Sequence, residues 1–312
     1  MRLHAEAFHA GPFLDGLETP DLGFATGAIR SASHWNDLQG SVSGNQASRK
    51  PSLRLRNAVG ETSMDLKSRI ILVTGGGSGI GLELTRQLVA LDNTVIICGR
   101  DATRLEEAAA ATGAVPIAGD VTNPQDQERI LSTIREQHGR LDILVNNAGI
   151  FLAYDFRSDS DALQKIESEI AINATAPLTL TWRALPLLEA SAQPAVLFIG
   201  SGIAFVASPG TPIYSGTKAL IHHCAQTLRH QLQPHGIAVF EAMPPVVDTD
   251  MAKVLKSDNF KKMKPADLVR DILEGMRRNE TEMLLGQSRQ IKLMSRIAPA
   301  FLFRQFAKTE FH

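Results

Sequence analysis

Seven residues constrain this chain more than any other stretch: Gly75-Gly-Gly-Ser-Gly-Ile-Gly81, set directly after the strand-length apolar run Arg69-Ile-Ile-Leu-Val-Thr74. Ile80, Leu84, Leu88 and Leu91 follow at spacings of four, four and three, which puts them on one face of a helix that starts inside the glycines. Strand, tight turn and helix in that order gather free amides and the positive end of the helix dipole around the turn, where glycines let a pyrophosphate approach the backbone. An isolated glycine cluster is usually only a turn. Between an apolar strand and an amphipathic helix, it reads as a dinucleotide site.

A second signal lies downstream in Tyr214-Ser-Gly-Thr-Lys218. On a helix, positions i and i+4 share a face, so the Lys218 ammonium can sit beneath the Tyr214 phenol. A free phenol titrates near pH 10. A neighbouring cation favours phenolate, which would bring Tyr214 toward proton transfer near neutrality. Tyr-x-x-x-Lys also arises by chance on helix surfaces, so the pair gains its meaning from the glycine turn and from Ser201 upstream.

The glycine spacing, with Gly75, Gly79 and Gly81, departs from the commoner dinucleotide fingerprint whose first two glycines lie two apart. Together with Asn146-Asn-Ala-Gly149 after the strand Leu141 to Val145, and with Ser201, Tyr214 and Lys218, it resembles the short-chain dehydrogenase/reductase family over about residues 66 to 285. The resemblance implies that Gly75, Ser78, Gly79, Ile80 and Gly81 bind the cofactor, that Asn147, Ala148 and Gly149 lie beside the adenine ribose, and that Ser201, Tyr214 and Lys218 carry catalysis. Asn173, in Ile-Asn-Ala-Thr, looks like the family's fourth catalytic residue, Asp120 and Val121 in Gly-Asp-Val like its adenine contacts, and Pro244, Val247 and Thr249 like its loop near the nicotinamide. Two departures stand out: Pro245 replaces a usual glycine, and Gly200 stands where many members have a first serine. The Pro-Pro loop and the Leu-Met-Ser-Arg-Ile-Ala-Pro tail are similar to a narrower branch, the oxidoreductases associated with teichoic-acid D-alanylation operons.

By this resemblance the chain is an enzyme in which Ser201 orients a carbonyl oxygen and Tyr214 donates the proton as hydride arrives. Lys218 would depress the Tyr214 pKa and bind the nicotinamide ribose. The other class of function is a non-catalytic NADP(H)-sensing regulatory protein. Such proteins often lose the tyrosine or lysine, and this chain retains both. Cofactor choice is read at the end of the second strand, Thr94 to Gly99, where an acid would accept bonds from a ribose 2′-hydroxyl. Gly99 holds that place and Arg100 follows, a guanidinium suited to a 2′-phosphate, so NADP(H) is expected over NAD(H). The alternative is that Arg100 is a solvated loop cation.

Strands are expected near 70–74, 94–98, 114–118, 141–145, 195–200, 237–242 and 282–286, with helices near 79–91, 102–112, 124–137, 160–189, 213–232 and 265–277. Asp101 is the expected N-cap of the second helix, and Pro124 and Pro265 fit first helical turns. This alternation predicts an α/β fold: a doubly wound, mostly parallel seven-stranded sheet with helices on both faces, one domain spanning 64–312 behind an N-terminal extension.

Charge balance, 32 basic against 33 acidic residues, and the lack of a basic tract argue against nucleic acid. No apolar run approaches the roughly 18 residues of a membrane span. Two cysteines fit a reducing, cytoplasmic setting, with Cys98 and Cys224 expected as small core residues. Nine histidines offer no i, i+4 pair backed by carboxylates, so no metal site is expected. Residues 1–63 are rich in Gly, Ser and Ala without periodicity and are expected to be disordered. Their six acidic residues speak against a transit peptide, and Met64-Asp-Leu-Lys resembles the family's natural start. From about 288 the tail carries Leu293, Met294, Ile297, Phe301, Leu302, Phe303 and Phe306, with Pro299 expected to break it. Covering the substrate pocket or joining a subunit interface is preferred to lying on a membrane. A small, lipophilic carbonyl or alcohol substrate and a homo-oligomer, dimer or tetramer, complete the expectation.

Overall fold

In a computed structural model of the chain, the structure describes residues 63–255, 261–309 and 311. The expectation of disorder over 1–63 falls, save for Ser63, outside the described residues. Seven strands form one sheet: β1 (Ile70–Thr74), β2 (Thr94–Gly99), β3 (Val115–Ala118), β4 (Ile143–Asn146), β5 (Ala195–Ile199), β6 (Ala238–Met243) and β7 (Glu282–Leu284). The order is β3-β2-β1-β4-β5-β6-β7 and every pairing is parallel. The chain therefore reverses direction across the sheet between β1 and β4, the switch point where open parallel sheets form a crevice at their strand C-termini.

Side-chain alternation along the strands explains the two layers. Ile71, Val73, Val95, Ile97, Ile143, Val145 and Leu197 face α1 (Gly79–Val89), α2 (Ala102–Thr112) and α7 (Pro265–Arg277). Their neighbours Leu72, Ile96, Leu144, Val196 and Phe198 face α3 (Pro124–His138), α5 (Ala176–Glu189) and α6 (Tyr214–Leu232). Asp101 caps α2 by accepting from Arg104 N at 3.0 Å, and Pro124 and Pro265 open α3 and α7 as the sequence predicts.

Two elements differ from expectation. The helix predicted over 160–189 is α4 (Ala162–Ile170), a π turn over Ala171–Thr175, and then α5. Pro177 lacks the amide hydrogen that the Asn173 carbonyl would need in an α-helix, and the Asn173 side chain is drawn to the backbone of Ile150. β7 stops at Leu284, two residues early, before Gly286 at φ +51°. Pro299 divides the tail into α8 (Ser288–Ile297) and α9 (Pro299–Phe306) as expected, with Ala298 in a non-helical conformation between them. Cys98 is fully buried, its thiol pushed up to about 12 by that burial, but Cys224 is only half-buried.

Candidate active site

The C-terminal end of β1 runs straight into the glycine turn. Gly75 at φ +65° donates its N–H to Cys98 O at 2.8 Å, and Gly79 sits at φ +52°, both in the left-handed region that glycine tolerates. Gly81 is needed for a different reason: a Cβ there would stand 2.2 Å from Gly75 O, so only a bare α-carbon lets α1 start so close to the strand. Ser78 precedes α1 in extended conformation without capping the helix through its side chain, which leaves the first amides facing the cleft. From β4, Asn147 locks this turn by donating from Nδ2 to Thr74 O at 2.9 Å, while Thr74 Oγ1 accepts from both Asn147 N and Ala148 N at 2.9 Å.

One cleft of about 310 Å³ extends from this turn along the strand ends. Gly75, Ser78, Gly79, Ile80, Asn147, Ala148, Gly149, Ser201, Tyr214, Lys218, Pro244, Val247 and Thr249 all line it, a majority of the residues singled out in the sequence. Gly81, Arg100, Asp120, Val121 and Asn173 do not. Gly81 lies beneath the turn, and Arg100 is an exposed loop residue. Asp120 spends one carboxylate oxygen on the Thr122 N–H and hydroxyl, both at 2.8 Å. Asn173 stands just behind the wall: its Oδ1 accepts from Ile150 N and its Nδ2 donates to Ile150 O, each at 2.8 Å.

Ser201, two residues beyond β5, and Tyr214, opening α6, line the cleft together, and the Ser201 hydroxyl acts to lower the Tyr214 pKa. Lys218, one turn further along α6, places Nζ 5.7 Å from the Tyr214 ring centroid and donates to Ile199 O at 2.9 Å. The electrostatics differ from the expectation that Lys218 lowers the Tyr214 pKa. Burial holds the phenol above its ordinary value, the Glu169 carboxylate adds to that, and only the Ser201 hydroxyl opposes it. Lys218 is itself pushed down to about 8 by burial, with the Glu241 carboxylate opposing. At this separation the ammonium does not outweigh the loss of solvent around the phenol.

Arg104, Phe151, Leu255 and Phe311 line the cleft without a sequence signature. Arg104, on the first turn of α2, reaches the glycine-turn end of the cleft that Arg100 misses. At the other end the wall is apolar: Phe151, whose ring meets Tyr214 edge-on at 4.7 Å, Ile203, Leu255, Ile291, Phe306 and Phe311. Phe311 pairs with Leu255 through the backbone and lies 5.9 Å from Phe151, so the tail lines the cleft, one of the two placements expected for it. The other face of α8 and α9 leaves Leu293, Ile297, Phe301 and Phe303 exposed. Glu169 is buried, accepting from Leu152 N at 3.0 Å, and is pushed up to about 7. A phenol and a hydroxyl in one cleft, beside an ammonium and below an anion-ready helix start, can deliver a proton to an oxygen seated at the apolar end. The glycine turn fits a nicotinamide dinucleotide, because a Cβ on Gly75 would crowd Ala148 and Asn147 at 3.1 Å, whereas the cleft side stays open.

The model of the short chain dehydrogenase family matches residues 69–259. The chain is 33% identical over 224 residues to the oxidoreductase DltE of Bacillus subtilis, spanning 70% of this chain and 89% of DltE, in keeping with the narrower resemblance. It is 29% identical over 214 residues to the oxidoreductase SA2266 of Staphylococcus aureus, spanning 67% and 90%. Among solved structures, a short-chain dehydrogenase from Burkholderia cenocepacia in complex with NADP superposes with TM-score 0.69 at 22% identity, covering 78% of this chain and 99% of that one. The 3-ketoacyl-(acyl-carrier-protein) reductase from Brucella melitensis, complexed with NADH, gives 0.64 at 22%, covering 68% and 92%. Among the described residues no helix is long and apolar enough to cross a membrane, and no cluster of His, Cys, Asp and Glu could hold a metal.

Proposed function

The chain belongs to the short-chain dehydrogenase family, and from that premise we propose that it is an NADP(H)-dependent oxidoreductase interconverting an apolar carbonyl compound and its alcohol, with Tyr214 as general acid and base. The observation that carries this reading is the meeting of Ser201, Tyr214 and Lys218 with the glycine turn in one cleft whose far wall is apolar. When bound, a nicotinamide supplies or accepts the hydride. Ser201 donates to the substrate oxygen and orients it. During reduction the Tyr214 O–H bond breaks and its proton goes to that oxygen; during oxidation the phenolate takes the proton back. Lys218 holds the ribose hydroxyls and steadies the phenolate, and Asn173, pinned to Ile150, keeps the Gly149 segment against it. Phe151, Ile203 and Phe311 exclude water around the reacting oxygen.

Assaying NADPH oxidation with a series of straight-chain aldehydes and ketones tests the reading. KM is expected to fall roughly threefold to fourfold for each methylene that reaches the apolar wall, from a transfer free energy of about 0.8 kcal/mol per group. A chain-length-independent KM sinks the apolar substrate, and no turnover of any carbonyl or alcohol sinks the oxidoreductase.

Preference for NADP(H) rests on the missing acid at Gly99 and on two cations, Arg100 in the loop and Arg104 in the cleft. Arg104 lies 3.8 Å from Asp101 in an exposed pair that a phosphate could take over. Arg104→Glu should shift the ratio of NADH to NADPH dissociation constants toward NADH by about tenfold or more, worth about 1.4 kcal/mol, and Arg100→Glu by less. Tighter NADH binding in the unaltered chain would overturn the preference. A homo-oligomeric, cytoplasmic protein completes the proposal, supported by the exposed Ile170, Trp182 and Leu220 and by two free cysteines.

A further inference from the structure

Behind the catalytic helix lies a charged cluster that the proposed reaction does not use. Glu241 sits in β6 on the side that faces α6, where strand alternation calls for an apolar residue, and it is wholly buried. Its Oε2 meets His222 Nδ1 at 2.8 Å. On the far side of that ring, Gln226 Nε2 lies 3.2 Å from His222 Nε2 and 3.4 Å from Glu282 Oε2. An amide N–H can only donate, so His222 Nε2 accepts, the ring proton resides on Nδ1, and it is donated to Glu241.

Its other oxygen, Oε1, is buried with no hydrogen-bond partner. That oxygen points at Gly200, where a Cβ would stand only 2.7 Å from it. Gly200 directly follows Ile199, whose carbonyl receives the Lys218 ammonium at 2.9 Å. Any side chain at position 200 would enter the space that this carboxylate takes up. The missing side chain at Gly200 and the acid at Glu241 thus form one arrangement.

We propose that Glu241 is a positioning residue that supplies the counter-charge for Lys218, holding its ammonium protonated at the floor of the cleft. Lys218 is buried, and burial disfavours its charged form; the Glu241 carboxylate acts in the opposite sense. The other titratable groups facing the cluster are accounted for. Tyr214 opens the same helix, and Glu169 from α4 acts on Tyr214. His223 stacks edge-on against His222 at the exposed side, and Glu282 from β7 is paired to Lys292 of α8. The inference rests on the role given to Lys218 above.

Its test reads Lys218 without cofactor or turnover: the pH dependence of acetylation by acetic anhydride, followed by mass spectrometry on the full chain, since only the neutral amine reacts. Glu241→Gln keeps the volume and still accepts from His222 Nδ1. Its labelling midpoint should fall by about 1 to 3 pH units, the range for losing a nearby opposite charge. Glu282→Gln should leave the midpoint in place, and a folded Glu241→Gln with an unmoved midpoint overturns the proposal. If Glu241→Gln does not fold, Gly200→Ala carries the test, because its methyl must displace Oε1. A downward shift supports the proposal and an unchanged midpoint again overturns it. A chain that binds no nicotinamide would defeat the oxidoreductase reading and leave this measurement standing.

Discussion

Replacing Tyr214 by Phe is expected to lower kcat by about 10² to 10⁴-fold, the contribution of a positioned general acid, while the dissociation constant for NADPH stays within about twofold, less than 0.5 kcal/mol. The separation of the two effects follows from the packing. The aromatic ring remains, so its edge-on contact with Phe151 at 4.7 Å survives, and Lys218 still donates to Ile199 O. Only the hydroxyl is lost. Burial and Glu169 hold that phenol protonated across the neutral range, which suits the reduction direction, where Tyr214 must begin with its proton. The measurement is steady-state turnover beside fluorescence titration of NADPH. Retained turnover would show that another group supplies the proton. Loss of NADPH binding along with turnover would show that the ring is structural.

The parts of this site visible in the sequence are those where chemistry and backbone geometry agree locally. Gly75, Gly79 and Gly81 announce a turn between a strand and a helix, and Tyr214 and Lys218 share a helix face, so one short window suffices for each. Asn173 was recognisable as a residue type in a motif, but the π turn around it was not. That turn depends on Pro177 withholding an amide and on a bond to Ile150, 23 residues away. Arg104 escaped because reaching the cleft depends on how α2 packs beside Gly77, not on any spacing. Phe311 escaped for the same reason, since only the fold brings the chain end over Gly210 and Phe151. Glu241 did leave a trace, a charge inside the otherwise apolar run Ala238–Met243, although its partner His222 could be assigned only once α6 lay against β6. The expected depression of the Tyr214 pKa failed because helical spacing fixes a neighbour and says nothing of solvent, and at this site desolvation is the larger influence.

A single methyl group at the turn should have the second large effect. In Gly81→Ala the new Cβ would lie 2.2 Å from Gly75 O and 2.5 Å from Asn147 Nδ2, both held in place, the first by the strand and the second by its bond to Thr74 O. α1 cannot simply retreat, because Leu84 and Leu88 are buried in the core beneath it. The turn must therefore open, and the amides that face the cleft separate. Overpacking of this kind costs about 1 to 3 kcal/mol of stability, and the disordered anion site should weaken NADPH binding by about 100-fold, or about 2.7 kcal/mol. Gly216→Ala offers the contrast, since a Cβ there meets nothing within 4 Å on an exposed helix face. That variant should gain up to about 1 kcal/mol from helix propensity and bind NADPH as before. Thermal unfolding and NADPH titration of the pair decide the matter. If Gly81→Ala binds NADPH normally while losing stability, the glycines serve packing alone and the dinucleotide lies elsewhere.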